Sequence, residues 1–169
     1  MTTFIALLRA VNVGGTGKLP MSELKAMCEA ASFTNVRTYI ASGNVIFDSP
    51  LSETAVAKKL GASLEEYAGK PVGVMLRTGP EMAAVLAANP FKDAAPNLSF
   101  AIFLDGAPQA DAIDTVRGRA DEELSLGTRE IYVTYPSGSG ASKLKIPAAA
   151  SGTARNMNTI AKLAEMAAA

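Results

Sequence analysis

The chain contains no histidine and no tryptophan, and it has one cysteine among its 169 residues. Without histidine, the sequence lacks the commonest metal ligand and the usual general base at neutral pH. It also offers no plausible metal-ligand cluster and no complete pair of nucleophile and base. The lone Cys28 excludes an internal disulfide. Because Cys28 is in phase with Leu24 and Ala31 on a predicted helix, we expect an unreactive thiol in the core.

Long apolar runs are missing as well. The opening segment Phe4 to Leu8 is followed at once by Arg9, and no stretch approaches the roughly 20 apolar residues that a membrane-spanning helix needs. We therefore expect a cytoplasmic protein with no membrane partner. A hydrophobic content of 49% and a charged content of 19% favour one well-buried globular unit or two small, tightly packed halves.

The net charge is zero, but the charges are unevenly distributed. Residues 1–47 hold four basic and two acidic side chains, giving +2, and residues 48–135 hold eight basic and thirteen acidic ones, giving −5. Residues 136–169 hold four basic and one acidic side chain, giving +3. This pattern permits a local anion site, or is simply an ordinary solvated surface. It does not supply the positive field of a general nucleic-acid binder.

Hydrophobic periodicity predicts an alternation of strands and helices in the first half. The predicted elements are a strand at 3–11, a helix from Pro20 to about Ser32, strands at 36–41 and 45–47, a helix at 52–68 and a strand at 72–77. This βαββαβ order is that of the ferredoxin-like motif, an antiparallel sheet with two helices on one face. Strand one is apolar on both faces, so we expect the second half to cover its open face.

The sequence of the second half predicts an incomplete repeat of the element order of the first half. Its predicted elements are a helix at 80–88, a strand at 98–104, a helix at 109–117, strands at 122–126 and 129–135, and a terminal helix at about 154–167. The fold class is therefore α+β, with two ferredoxin-like halves packed together, antiparallel sheets and an extra C-terminal helix. We place the halves at residues 1–79 and 80–169.

Two turns rich in glycine and asparagine follow strands of the first half. They are Asn12-Val13-Gly14-Gly15 and Ser42-Gly43-Asn44, and the second is a short hairpin turn in which glycine or asparagine takes the left-handed conformation. Because strands one and three are neighbours in the ferredoxin-like motif, the two turns should converge at one edge of the sheet. On the open face, Arg37 and Tyr39 could instead form a platform for bases, although the sequence offers no second aromatic residue beside Tyr39.

The segment from Asn12 to Lys18 resembles a phosphate-binding P-loop but lacks two residues that this motif requires. Asn12 stands where the first glycine is required, and Leu19 follows the lysine where a magnesium-binding Ser or Thr belongs. A loop rich in N–H groups remains, with Lys18 opening a helix whose N-terminus favours anions. An ordinary connection from strand to helix is the alternative.

A third polar cluster, Gly152 to Thr159, precedes the last helix. We expect Thr153 to cap that helix, leaving Arg155, Asn156 and Asn158 to face a ligand or another loop. The alternative is that their amides satisfy buried backbone of the protein. An arginine in a first helical turn should be exposed, so we expect Arg155→Ala to leave the fold intact. Upstream, residues 136–140 with Lys143 and Lys145 predict a mobile basic loop or a simple linker.

Three functions remain open. The first is a binding protein for a small anionic or nucleotide-like ligand, the second an interaction or scaffold protein whose motifs are structural, and the third an enzyme of unknown reaction. No catalytic residue, metal or cofactor is assigned, specific nucleic-acid binding is not favoured, and the oligomeric state is open. The candidate ligand residues supply donors and close backbone without acids: Arg9, Asn12, Gly14, Gly15, Lys18, Ser42, Gly43, Asn44, Arg155 and Asn156.

These motifs together resemble a bacterial domain-of-unknown-function family, DUF1697. The resemblance is carried by four stretches: Leu7 to Gly15, Lys18 to Met21, Val36 to Phe47, and Thr153 to Asn156. It spans essentially the whole chain and implies an α+β protein of two ferredoxin-like halves, with no established activity, substrate or cofactor. The family usually has a tryptophan where this chain has Met157. An indole that stacks on a ligand is therefore not expected here.

Overall fold

The computed structural model describes residues 1–9 and 18–169. Within these ranges the chain forms eight β-strands and four α-helices. Their order is β1 (Thr2–Leu8), α1 (Met21–Ala30), β2 (Thr34–Tyr39), β3 (Asn44–Ser49), α2 (Glu53–Ala68), β4 (Val74–Thr78), α3 (Gly79–Ala87), β5 (Ser99–Phe103), β6 (Glu123–Leu126), β7 (Glu130–Thr134), β8 (Thr153–Asn156) and α4 (Met157–Ala168). The predicted α+β class is confirmed.

The chain divides into two compact units, residues 1–82 with 163–169 and residues 83–162. Each unit contains one four-stranded antiparallel sheet. The strand orders are β2-β3-β1-β4 in the first unit and β6-β7-β5-β8 in the second, so the two sheets follow the same scheme. Both divisions of the chain fall inside helices, α3 and α4.

In the first unit, one face of the sheet packs on α1 and α2. Alternate residues of β1 point to this face, and they join a buried cluster with apolar side chains of both helices: Phe4, Ala6, Leu8, Leu24, Cys28, Leu60 and Leu64. The rings of Phe33 and Phe47 stack inside the cluster with centroids 4.3 Å apart. Both ends of α2 follow from the sequence, since the Ser52 hydroxyl accepts from the Ala55 N–H at 3.2 Å and Gly69 ends the helix with φ +74°.

The opposite face of the same sheet is also buried. Ile5 and Leu7 are fully buried there, as the doubly apolar pattern of β1 predicts. Ile5 lies between Ile46 on β3 and Arg77 on β4. Arg77 is 2% exposed, and its guanidinium donates to the carbonyl of Leu76 at 2.7 Å. A charged side chain is thus held in an otherwise apolar row.

The second unit differs from the prediction at residues 109–117, where the predicted helix is wrong. The segment forms successive turns, with the N–H of Ala112 donating to Gln109 and that of Asp114 donating to Asp111. Only Ala112 of this stretch is buried, so a helix would have no apolar face to pack. The Thr115 hydroxyl also donates to the Ala112 carbonyl at 2.9 Å.

The start of the last helix differs too. Residues Thr153–Asn156, predicted as its beginning, form the edge strand β8 and pair antiparallel with β5. Pairing with β5 satisfies the backbone of this segment, in which Thr153 and Asn156 are poor helix formers, and α4 begins only at Met157. Among the described residues, none of the helices is both long and apolar enough to cross a membrane.

Candidate functional site

Three segments of the first unit meet at the end of β1. The N–H of Leu8 donates to the carbonyl of Gly43 at 2.8 Å, and the N–H of Arg9 donates to the carbonyl of Gly73 at 2.9 Å. The hairpin between β2 and β3 and the entry to β4 therefore both lie beside the C-terminal end of β1. The hairpin turn does reach the end of β1, as the strand order predicts. Asn12, Gly14 and Gly15 lie outside the described residues.

The hairpin tip is held from inside by Asn44. This residue is fully buried, and its amide donates to the Tyr39 carbonyl at 2.9 Å and lies 3.0 Å from the Ser42 hydroxyl. Gly43 has φ +91°, the left-handed conformation predicted for this turn. Ile40 also has a positive φ, +50°, although a β-branched side chain disfavours it.

Two exposed cationic side chains, Arg9 and Lys18, flank in sequence the segment 10–17 that lies outside the described residues. Arg9 is exposed, and its side chain covers Gly73 so closely that an added Cβ there would lie 3.1 Å from the Cβ of Arg9. Lys18 is exposed and directly precedes the buried Leu19. Pro20 occupies the N-cap of α1 and has no side-chain oxygen to cap the first N–H groups.

Arg155 is buried, not exposed, which corrects the expectation for this residue. It lies on β8, opposite Ala101 of β5, and is 7% exposed. Its guanidinium donates to the Thr153 hydroxyl at 2.7 Å and to the Ala154 carbonyl at 2.9 Å. Burial lowers the pKa of Arg155 to about 10. Arg155 is thus tied into its own strand.

The cap of α4 is Asn156, so the assignment of that role to Thr153 is wrong. The side-chain oxygen of Asn156 accepts from the N–H of Thr159 at 2.9 Å. Thr153 is instead a buried member of β8 that accepts from Arg155. Whether Arg155 and Asn156 contribute to a ligand site stays a prediction.

Arg37 binds the end of a helix. Its guanidinium donates to the carbonyl of Met166 in the last turn of α4 at 2.6 Å, and to the carbonyl of Asn35 at 3.2 Å. A cation at this position complements the partial negative charge of a helix C-terminus. The guanidinium is therefore engaged with backbone carbonyls, which argues against the base-stacking platform of Arg37 and Tyr39.

The second unit contains a cavity of about 540 Å³ that sequence reasoning missed. Two serine–carboxylate pairs line it, Ser137 with Asp121 and Ser142 with Glu122. Hydrogen bonds from Ser142 and then from the N–H of Ala120 lower the pKa of Glu122. The only sequence signal was the segment of serine and glycine at 136–140, whose alternatives were a basic loop and a linker. Each carboxylate already accepts a serine hydroxyl.

Cys28 is an interior thiol, as predicted. It is fully buried in the core between the sheet and α1, and burial raises its pKa to about 12. A thiol with so little thiolate at neutral pH is a poor nucleophile.

Comparisons with known proteins place the chain in a family. A family model described as a protein of unknown function, DUF1697, matches residues 1–132. Among solved structures, the chain is similar to the conserved bacterial protein SP0830 from Streptococcus pneumoniae, with 25% identity, a TM-score of 0.81 and 98% of each chain covered. Comparison with curated proteins finds no match. Since the family model covers far more than half of the chain, the protein belongs to the DUF1697 family of proteins of unknown function.

Proposed function

We propose that the protein binds a small anionic or nucleotide-like ligand at the end of β1 in the first unit. One observation carries the proposal. The hydrogen bond from Leu8 to Gly43 brings the hairpin tip to the segment that ends in the exposed cation Arg9. The glycine-rich sequence that follows ends at a second exposed cation, Lys18, three residues before the first residue of α1.

The chemistry of these groups favours an anion. Arg9 offers a planar fork of N–H donors that matches phosphate or carboxylate, and Lys18 adds a mobile ammonium. The N-terminus of α1 adds a partial positive charge, and the proline N-cap competes with no ligand for its N–H groups. Of the two acidic residues in α1, only Glu23 lies in the first turn.

The other candidate ligand residues contribute to the proposal in different ways. Asn12, Gly14 and Gly15 enter the proposal on their sequence alone, as donors of close backbone and amide contacts. Ser42 is exposed at the hairpin tip, and Gly43 is a hydrogen-bond partner of β1. Asn44 holds the tip together, so we assign it a supporting role in this site.

Isothermal titration of the protein with phosphate, pyrophosphate and AMP tests the proposal. We expect Arg9→Ala and Lys18→Ala each to weaken binding about tenfold, since a charge-assisted hydrogen bond contributes roughly 1.5–3 kcal/mol. Lys58→Ala, which removes an exposed cation from the middle of α2, is the matched control and should bind as the wild type does. No binding of any of the three anions at 1 mM would refute the site. An equal loss in Lys58→Ala would reduce it to a general charge effect.

A second candidate function is structural, and one pair of observations favours it. The amide of Asn44 is engaged by the Tyr39 carbonyl, and the side-chain oxygen of Asn156 by the N–H of Thr159. Under this alternative, the motifs stabilise a scaffold that binds another protein. In that case neither the wild type nor the Arg9 and Lys18 variants would bind an anion. Substitution of either asparagine would lower the stability of the protein and have no other effect.

We propose further that each unit is a ferredoxin-like half and that the protein acts in the cytoplasm. The spatial strand order, the same in both sheets, supports the first statement. A single, buried cysteine supports the second, because an oxidising compartment usually selects disulfides in small domains.

A further inference from the structure

The second unit, which the structure describes throughout, has no counterparts of α1 and α2. The matching strand orders make the connection from β5 to β6 the equivalent of the one that contains α1, and the connection from β7 to β8 the equivalent of the one that contains α2. These two connections, residues 104–122 and 135–152, contain no α-helix. Ordered connections longer than about 12–15 residues without regular structure are uncommon in compact domains, and they commonly serve as binding loops.

The two connections pack on the sheet and enclose a cavity between them. Ala112 of the first connection and Leu144 of the second belong to the apolar cluster that contains Ile131 of β7. The residues that line the cavity of about 540 Å³ all come from these connections, at 118–122 and 137–143. The cavity therefore lies between two segments whose equivalents in the first unit are helices.

Contacts between the two connections fix the walls of the cavity. Arg117 and Lys145 exchange two backbone hydrogen bonds, at 2.9 and 2.7 Å. Gly118 has φ +70°, and a Cβ added there would overlap the carbonyl oxygen of Lys143. The sequence thus has a glycine where the two connections touch. A cavity whose walls are held in place in this way is typical of sites for small molecules.

Two carboxylates line this cavity at different depths. Asp121 is exposed, whereas Glu122 is only 4% exposed. Hydrogen bonds from the Ser142 hydroxyl and then from the N–H of Ala120 lower the pKa of Glu122, so this carboxyl is ionised at neutral pH. The two donors occupy two of the roughly four acceptor sites that a carboxylate offers.

The charge of Glu122 has no ion pair. Arg119 donates through Nε to the backbone carbonyl of Glu122 at 2.8 Å, and its effect on the pKa of the carboxyl is the smallest of the contributions. Lys143 lines the same cavity but, within the described ranges, forms no ion pair with Asp121 or Glu122. Because a buried charge is ordinarily paired, the cavity is suited to a cation beside Glu122.

We propose that this cavity binds a short aliphatic amine, whose ammonium group donates to Glu122 and Asp121. An ammonium has three donors and no acceptor, which matches the remaining acceptor sites of two carboxylates. A metal ion fits less well, since the described residues contain no group of three or more acidic, histidine or cysteine side chains that could hold one. Four residues of the wall have side chains no larger than a methyl group and leave room for the chain of the amine: Gly118, Ala120, Gly138 and Ala141.

Isothermal titration with 1,4-diaminobutane tests the proposal, and 1,4-butanediol, an uncharged molecule with the same carbon chain, is the control ligand. We expect the diamine to bind and the diol not to bind at about 1 mM. Asp121→Asn and Glu122→Gln should each weaken diamine binding about tenfold, since each removes the charge of an acceptor. Glu123→Gln, at an exposed residue outside the cavity wall, is the matched control and should bind as the wild type does.

Two further variants separate the electrostatic effect from general damage to the second unit. Lys143→Ala removes a positive charge from the cavity wall and should tighten diamine binding about twofold, whereas damage would weaken it. Ala141→Leu fills the cavity without changing its charge and should weaken diamine binding about tenfold.

The possible results distinguish the ligand from its location. Failure of the wild type to bind the diamine, or equal affinities for the diamine and the diol, would overturn the proposal. Unchanged affinity in both Asp121→Asn and Ala141→Leu would show that the amine binds elsewhere. Tighter binding of Ca²⁺ than of the diamine would overturn the assignment of an amine. If Glu122→Gln does not fold, the variants at Asp121, Ala141 and Lys143 still decide the question, because these three residues are exposed.

Discussion

The side-chain amide of Asn44 donates to the carbonyl oxygen of Tyr39 at 2.9 Å and thereby closes the hairpin between β2 and β3 from inside. The two residues are also direct partners in the sheet. Because Asn44 is fully buried and Ser42 is exposed, the same short turn has one side facing the core and one facing solvent.

Asn44→Ala should lower the free energy of unfolding by about 2 kcal/mol, because it removes a fully buried side chain and the donor to the Tyr39 carbonyl. Ser42→Ala removes a hydroxyl that accepts from the same amide, but because Ser42 is exposed, water can replace this acceptor and the loss should be smaller, about 0.5 kcal/mol. Urea denaturation of both variants measures the difference. Equal losses would mean that the buried amide does not hold the turn.

Arg155→Ala should destabilise the second unit by about 3 kcal/mol. The substitution removes donors to the Thr153 hydroxyl and the Ala154 carbonyl and opens a cavity at the edge of the sheet. This expectation reverses the one that follows from the sequence, where an exposed arginine was predicted. Lys92→Ala, an exposed cation of the same unit, is the control and should stay within about 0.5 kcal/mol of the wild type. An Arg155→Ala variant as stable as the wild type would contradict the buried position of Arg155.

Asn156→Ala should cost about 1 kcal/mol through loss of the N-cap of α4. Asn156→Asp or Asn156→Ser should retain most of the stability, because both keep an acceptor for the N–H of Thr159. Thr153→Ser should likewise be mild, since it keeps the hydroxyl that accepts from Arg155. Thermal unfolding followed by far-ultraviolet circular dichroism gives the ranking, and a serine variant as unstable as alanine would argue against the cap.

Because the thiol of Cys28 is buried, the free energy of unfolding should decrease at alkaline pH. The pKa of this thiol is about 12 in the folded protein, against an ordinary value of 9.0. Between these values, the unfolded chain loses the thiol proton first, so the unfolded state is favoured as pH rises. The contribution is fully present below pH 9 and is lost toward pH 12.

Urea denaturation at pH 8 and pH 10.5 measures this loss, and Cys28→Ala should show a smaller one. A thiol reagent such as Ellman's reagent provides an independent check. The native protein at pH 8 should react only at its rate of unfolding. Rapid labelling of the folded protein would show that the thiol is accessible.

Local sequence signals determined much of the first unit. Ser52 and Gly69 bound α2 because a side-chain cap and a left-handed residue act within a few residues of the helix end. The continuous apolar run in β1 likewise predicts that both of its faces are buried, because apolar side chains on either face need to be covered from water. The turn at Gly43 and the place of Cys28 in the core follow from equally local patterns.

Only the tertiary structure decided the parts that depend on distant partners. Thr153 to Asn156 became strand β8 because the edge of β5 offered backbone partners about fifty residues away, a competition that helix propensity does not register. Arg155 was buried for the same reason, since a strand facing inward covers a side chain that a helix start would expose. Arg37 found its acceptor on Met166, 129 residues away in sequence. The positive φ of Ile40 could not be predicted from the sequence either, because it depends on the hairpin geometry that the buried amide of Asn44 maintains.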